Sequence, residues 1–189
     1  MIGQHPELHA FPELQIFNDA TLGDMMEKNQ RRFNRLSSAG TIRSLAEVHE
    51  QGQTDESCAR AWLWLQKHAD WSPSEFFDYL RQKVNPKIAV EKTPVNTWKA
   101  SRLETIIRTY PNAKFLHLSR SVNGNAKSLK EFIRDQDKLL GRKDAEQLTG
   151  RALSREYPAS VWYICHRNIF SMKPLIKQTN FLQIKGEDL

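Results

Sequence analysis

Lys87-Ile88-Ala89-Val90-Glu91-Lys92 is a short apolar run halted by Thr93-Pro94, and Ala113 to Ser119 is a second, centred on Phe115-Leu116-His117-Leu118. Short runs closed by a turn signal predict strands. Between them Leu103, Ile106, Ile107 and Tyr110 recur at helical spacing, which predicts a helix over about Thr97 to Arg108. Pro111-Asn112 then turns the chain into the second run. Strand, helix, strand in so short a span is a βαβ unit, the crossover that parallel strands require. A further helix over Ala159 to Met172 leads to a third strand over Asn180 to Lys185. The expectation is an α/β fold in which Ile88–Lys92, Phe115–Ser119 and Phe181–Lys185 share one parallel sheet flanked by helices. Lys92 and Arg120 are then expected to open toward the same end.

Upstream of the first run, Ser72-Pro73-Ser74-Glu75 is a helix start. Ser72 caps, Pro73 suits the first helical position, and Glu75 reaches back to complete a capping box. Phe76, Phe77, Leu80 and Val84 follow at helical spacing. Ser57 to His68 predicts another helix, with Ala61, Trp62, Trp64 and Leu65 largely on one side, and the Trp62, Trp64, Trp71 group is expected in the core. Helices over Asp24 to Leu36 and Ile42 to Glu50 are expected to be separated by Ser37-Ser38-Ala39-Gly40. Downstream, a basic helix is expected over about Asn125 to Leu140, then a polar, loop-rich stretch from Gly141 to Pro158. There is no internal repeat and no low-complexity tract.

The 189 residues are enough for one domain. With 39% apolar residues, 5 Trp and 9 Phe they can fill a core, which excludes a wholly disordered chain. No apolar run is long enough to span a membrane, and Met1-Ile2-Gly3-Gln4-His5-Pro6 lacks the basic and apolar parts of a secretory signal. Cys58 and Cys165 stand alone, without metal-ligand or disulfide spacing, so a cytoplasmic setting without a metal is expected. The net charge of +6 suits anionic partners without choosing among them. Lys127, Lys130, Arg134 and Lys138 read as a solvated helix face. No platform of aromatic and basic residues or helix-turn-helix pattern supports a nucleic-acid partner.

Ligands of parallel α/β sheets collect at the carboxyl ends of the strands. One expected strand ends in Glu91-Lys92-Thr93-Pro94. Another ends in Ser119-Arg120, followed by a helix bearing Ser128. A guanidinium, free backbone N–H groups and a hydroxyl near one strand end together form an anion site. Neighbouring strand side chains point to opposite faces, so Glu91 and Lys92 are not expected in the same site.

His5-Pro6-Glu7-Leu8-His9-Ala10-Phe11-Pro12-Glu13-Leu14, Glu91-Lys92-Thr93-Pro94, Pro111 through Arg120, and the closing Ile184-Lys185-Gly186-Glu187-Asp188-Leu189 resemble, in order and spacing, sulfotransferases that use 3′-phosphoadenosine 5′-phosphosulfate (PAPS). The Trp162…His166-Arg167-Asn168-Ile169 helix is most similar to bacterial sulfotransferase domains of polyketide and olefin synthases. The resemblance implies a sheet like that of P-loop NTPases and sulfuryl transfer from PAPS to a hydroxyl or amine, on a small molecule or a carrier-bound chain. It implies that Arg120 and Ser128 bind the 3′-phosphate and that Lys92 reaches the bridging oxygen of the leaving phosphate. It also implies that Glu13, as in tyrosylprotein-type members, or His166, as in polyketide-type members, is the general base. His5, His9 and His117 are expected to be structural.

The family's pattern begins with a strand and an Arg-Ser-Gly-Thr-Thr-type loop ahead of the His-Pro-Glu motif, and Met1-Ile2-Gly3 stands where the following helix would end. Ser121-Val122 replaces a common Asp-Pro-like pair after the arginine. The expectation is a single partial domain over residues 1–189, truncated at its N-terminal strand and loop and inactive or nearly so on its own. The alternative is a non-catalytic module that keeps only the 3′-phosphate site.

Overall fold

The computed structural model describes residues 2–31, 35–50, 52–128, 131 and 156–186. The chain forms two compact units, Met1–Asn96 and Thr97–Leu189.

The first unit runs β1 (Leu8–Ala10), α1 (Leu22–Arg31), α2 (Arg35–Glu50), α3 (Asp55–Lys67), α4 (Pro73–Val84) and β2 (Ile88–Val90). β1 and β2 pair in parallel, with Leu8 opposite Ile88 and Ala10 opposite Val90. The ladder continues where the Phe11 N–H donates to the Val90 carbonyl at 2.9 Å. α4 starts as its sequence dictates, with the Ser72 hydroxyl accepting the Glu75 N–H and the Glu75 carboxylate accepting the Ser72 N–H. α3 has a cap that spacing alone did not signal, a reciprocal pair between Thr54 and Ser57. The core gathers Leu14, Ile16, Leu22, Leu45, Leu65, Phe76 and Leu80, and the three tryptophans pack around it as expected. The Trp64 ring stacks on Tyr79 at 5.0 Å and meets Trp71 edge-on at 5.3 Å.

The break expected at residues 37–40 is instead continuous helix within α2. Gly40 sits where α2 passes the turn after β1 so closely that a Cβ would lie 2.0 Å from the Glu13 carbonyl oxygen. Ser38 is buried, and the Ser44 hydroxyl donates back to the Gly40 carbonyl at 2.7 Å. Small residues that look like a linker are therefore what a close helix-to-backbone contact demands, and tertiary packing overrides their weak helix propensity.

The second unit contains α5 (Ala100–Thr109), β3 (Phe115–Ser119), α6 (Glu156–Met172) and β4 (Phe181–Lys185). β3 and β4 pair in parallel over five residues, from Phe115 opposite Phe181 to Ser119 opposite Lys185. The three anticipated strands exist, but they do not form one sheet. Among the described residues there are two two-stranded parallel sheets, β1 with β2 and β3 with β4. β2 takes as partner the three-residue strand Leu8–Ala10, which is too short for alternation to announce it. β2 is itself cut short, because the chain passes into a 3-10 turn at Pro94–Trp98. The basic helix starts earlier than expected, with residues 122–128 helical. Lys130, Arg134, Lys138 and most of the stretch from Gly141 to Pro158 lie outside the described residues, as do Glu187, Asp188 and Leu189. No helix among the described residues is long and apolar enough to cross a membrane.

Candidate active site

Parallel pairing of β1 and β2 makes both strands exit at their carboxyl ends on the same side, and Glu13 and Lys92 follow within three residues. Lys92 Nζ lies 2.6 Å from Glu13 Oε1. The side chains are 72% and 40% exposed respectively, so the pair is open to a ligand. The backbone beneath Glu13 is held from two directions. The Thr41 hydroxyl, fully buried on α2, donates to the Leu14 carbonyl at 2.5 Å. The Gln15 N–H donates to the Thr93 hydroxyl at 3.3 Å.

Glu91 stands just past the end of β2, and unlike the exposed Lys92 side chain its carboxyl is drawn inward. It accepts the Thr93 hydroxyl, and Asn96 Nδ2 approaches at 3.4 Å. Burial pushes it above its ordinary value, against the opposing effects of the Thr93 hydroxyl and the Leu14 N–H. Glu91 and Thr93 enter the sequence reading only as parts of the Glu91-Lys92-Thr93-Pro94 motif, without a role, and Asn96 does not enter it. The available signal was a carboxylate at a strand end followed by a hydroxyl and an amide.

In the second unit Arg120 follows β3 directly and is exposed. Its carbonyl accepts Trp162 Nε1–H at 2.8 Å, fixing the strand end to α6. Gly186, just past β4, makes room for the arginine stem, since a Cβ there would stand 3.0 Å from Arg120 Cγ. The Ser121 hydroxyl accepts the Gly124 N–H at 3.2 Å and begins the helix on which Ser128 lies exposed.

His166 stacks on Trp162 with ring centroids 4.0 Å apart, and its Nδ1 lies 2.8 Å from the Trp162 carbonyl. A carbonyl can only accept, so Nδ1 carries a proton, and in the neutral ring Nε2 is the acceptor. That is the tautomer a base needs, yet Nε2 is buried without a partner. His117 lies 5.0 Å away, 7% exposed, with both ring nitrogens unpartnered. Burial, and then His166, hold His117 below its ordinary value. Glu13 and Lys92 are thus brought together in the first unit. Arg120, Ser128 and His166 belong to the second. Among the described residues no cluster of three metal-ligating side chains forms.

A sequence profile of the sulfotransferase family matches residues 1–189. The chain belongs to the sulfotransferase family. Comparison with curated proteins gives no match. Among solved structures, this sulfotransferase-family chain is similar to the sulfotransferase domain from the curacin biosynthetic pathway, at 20% identity and a TM-score of 0.75, covering 100% of this chain and 61% of that one. It is also similar to the sulfotransferase domain from the Synechococcus PCC 7002 olefin synthase, at 20% identity and a TM-score of 0.72, covering 100% and 60%. The likeness establishes the sulfotransferase fold. This sulfotransferase-family chain spans about three fifths of the length of those two domains.

Proposed function

We propose that this chain is a single partial sulfotransferase domain whose residues serve sulfuryl transfer from PAPS to a hydroxyl or amine acceptor, small or carrier-bound. PAPS, when bound, supplies the activated sulfuryl group. The observation that carries the reading is the Lys92–Glu13 pair at the carboxyl ends of two parallel strands. Glu13 takes the acceptor's proton as the acceptor atom bonds to sulfur. Lys92 stabilises the negative charge left on the 5′-phosphate oxygen as its bond to sulfur breaks. Glu13 is favoured over His166 because its carboxylate is 40% exposed whereas His166 Nε2 is closed off. Arg120 is an exposed cation at a strand end, its stem packed against Gly186, which fits a phosphate. Ser128 is an exposed hydroxyl on the helix that follows.

Titration calorimetry with adenosine 3′,5′-bisphosphate tests the phosphate part. Arg120→Ala is expected to weaken binding by about tenfold or more, the loss of one charge-assisted hydrogen bond. Equal affinity removes Arg120 from the site. A sulfate-transfer assay tests the rest, with Lys92→Met and Glu13→Gln expected to reduce turnover more than donor affinity. Bisphosphate binding with no turnover, in this chain and in a longer version alike, favours a non-catalytic binding module.

A further inference from the structure

Three unusual features of the first unit meet at one carboxyl. Gln15 holds a left-handed backbone, φ 56° and ψ 15°, a conformation that a residue with a side chain keeps only where its surroundings enforce it. Asn96, 6% exposed, leaves its Oδ1 buried and unpartnered. Glu91 turns its carboxyl inward, where it accepts the Thr93 hydroxyl and the Leu14 N–H and lies beside Asn96 Nδ2. The same Thr93 hydroxyl accepts the N–H of left-handed Gln15. Two segments distant in sequence are therefore joined through one side chain. One of them carries Glu13 immediately before Leu14, and the other carries Lys92 immediately before Thr93.

We propose that Glu91 is a positioning residue whose carboxyl ties the Leu14–Gln15 backbone to the Thr93–Asn96 turn and so holds Glu13 against Lys92. The inference deepens the sulfuryl-transfer reading and rests on it only for its catalytic consequence. The tie explains how an ion pair between two largely exposed side chains keeps a defined geometry. An exposed pair by itself gains too little to order two long side chains, so the order must come from the backbone on either side. Turned about its terminal bond, Asn96 offers Oδ1 to Glu91 and accepts the proton of the neutral carboxyl. Ionised, the carboxylate takes the Thr93, Leu14 and Asn96 donors instead, so the tie survives in both protonation states.

The charged groups facing Glu91 are Glu13, which opposes its ionisation, and Lys92, which favours it, with burial the larger effect. The folded chain therefore holds the Glu91 proton more tightly than the unfolded chain. Its contribution to stability is fullest below the ordinary value of 4.5 and is lost as pH rises through the higher folded value. Glu91→Gln keeps an acceptor oxygen, supplies a permanent donor to Asn96 and removes that pH dependence.

The test compares wild type with Glu91→Gln, Glu91→Ala and Glu13→Gln by two measurements that need neither donor nor acceptor. The first is amide hydrogen exchange of Leu14 and Gln15, with core amides such as that of Phe76 as the control. The second is competitive acetylation of Lys92, with Glu13→Gln defining the reactivity of an unpaired Lys92. Glu91→Ala is expected to speed exchange at Leu14 and Gln15 by roughly tenfold or more and to raise Lys92 acetylation to the Glu13→Gln level. Glu91→Gln is expected to restore both to wild-type values, and its stability relative to wild type is expected to rise from acid to neutral pH, because the loss tied to ionising Glu91 is gone. Should Glu91→Ala fail to fold, Thr93→Val makes the same cut at the hydroxyl, with faster exchange at Gln15 and more reactive Lys92 expected. Unchanged Lys92 reactivity in whichever of these two variants folds overturns the proposal while leaving the sulfuryl-transfer reading intact. Loss of that reading, through unaltered turnover in Lys92→Met, leaves these two measurements unaffected.

Discussion

His117 shows how a single side chain sets conditions on the fold around it. It sits on the face of β3 toward α6, between the rings of His166 at 5.0 Å and Phe170 at 5.6 Å, and neither of its nitrogens is hydrogen-bonded. Burial and the neighbouring His166 depress its affinity for a proton, so the unfolded chain takes up that proton more readily than the folded one. The resulting stability is present in full above the ordinary value of 6.5 and is lost as pH falls below it toward the folded value. His49 is shifted the same way, chiefly by burial and then by Lys83, and adds to the slope. Chemical denaturation at about pH 7.5 and about pH 5 is expected to show lower stability in acid. His117→Phe should be neutral or stabilising at the higher pH, because it removes two buried polar atoms that lack partners, and should shrink the acid loss. An unchanged acid loss in His117→Phe assigns the effect to His49 and other groups. Its place inside an expected strand marks His117 as structural in the sequence. Its missing partners could not be read there, because they depend on which helix covers that face.

At the scale of elements, legibility followed the locality of the signal. The Ser72–Glu75 box starts α4 where expected because every atom in it lies within one turn. β3 and β4 were legible as apolar runs, and β2 as a run stopped at Thr93-Pro94. β1 was not, since three residues between Pro6 and Pro12 give no periodicity to count. The pairing of strands also escaped, because it is decided by partners far away in the chain. Of the candidate site, Glu13 and Lys92 were found through resemblance, and their contact through neither composition nor spacing. Gly40 is the element whose meaning changed most, from presumed linker to contact point of α2. Replacing a helical glycine by alanine ordinarily gains about 1 kcal/mol. Here the added Cβ meets the Glu13 backbone at 2.0 Å, which must move. Gly40→Ala is expected to destabilise the chain by roughly 1–3 kcal/mol, as overpacking does. Gly52→Ala, which meets nothing within 4 Å, should be close to neutral in the same urea titration. Equal midpoints for the two variants would mean that α2 does not approach the Glu13 turn so closely.

For the whole molecule the decisive balance is between covered and uncovered apolar surface. Parallel sheets are ordinarily buried on both faces, and β3–β4 has one face against α6, carrying His117 and Phe181. The register puts Leu116 beside Leu182 and Leu118 beside Ile184 on the other face. Three of these remain open to solvent, Leu116 at 43%, Leu118 at 48% and Leu182 at 59%. A contiguous apolar patch on a sheet face favours association between copies. The chain is therefore expected to self-associate with rising concentration, despite its net charge of +6. Leu182→Lys places a charge in the middle of the patch while removing a side chain that contributes little to the interior. It should suppress association, seen as a lower concentration dependence in light scattering or sedimentation, with stability changed by no more than about 0.5 kcal/mol, as at other exposed sites. Ile88→Lys is the matched control. Ile88 is 63% exposed and belongs to the first unit, on β2, so it is not part of the Leu116–Leu182 register. If both substitutions suppress association equally, added charge is the cause and the β3–β4 face is not. If only Leu182→Lys does so, that face is the surface through which the copies meet.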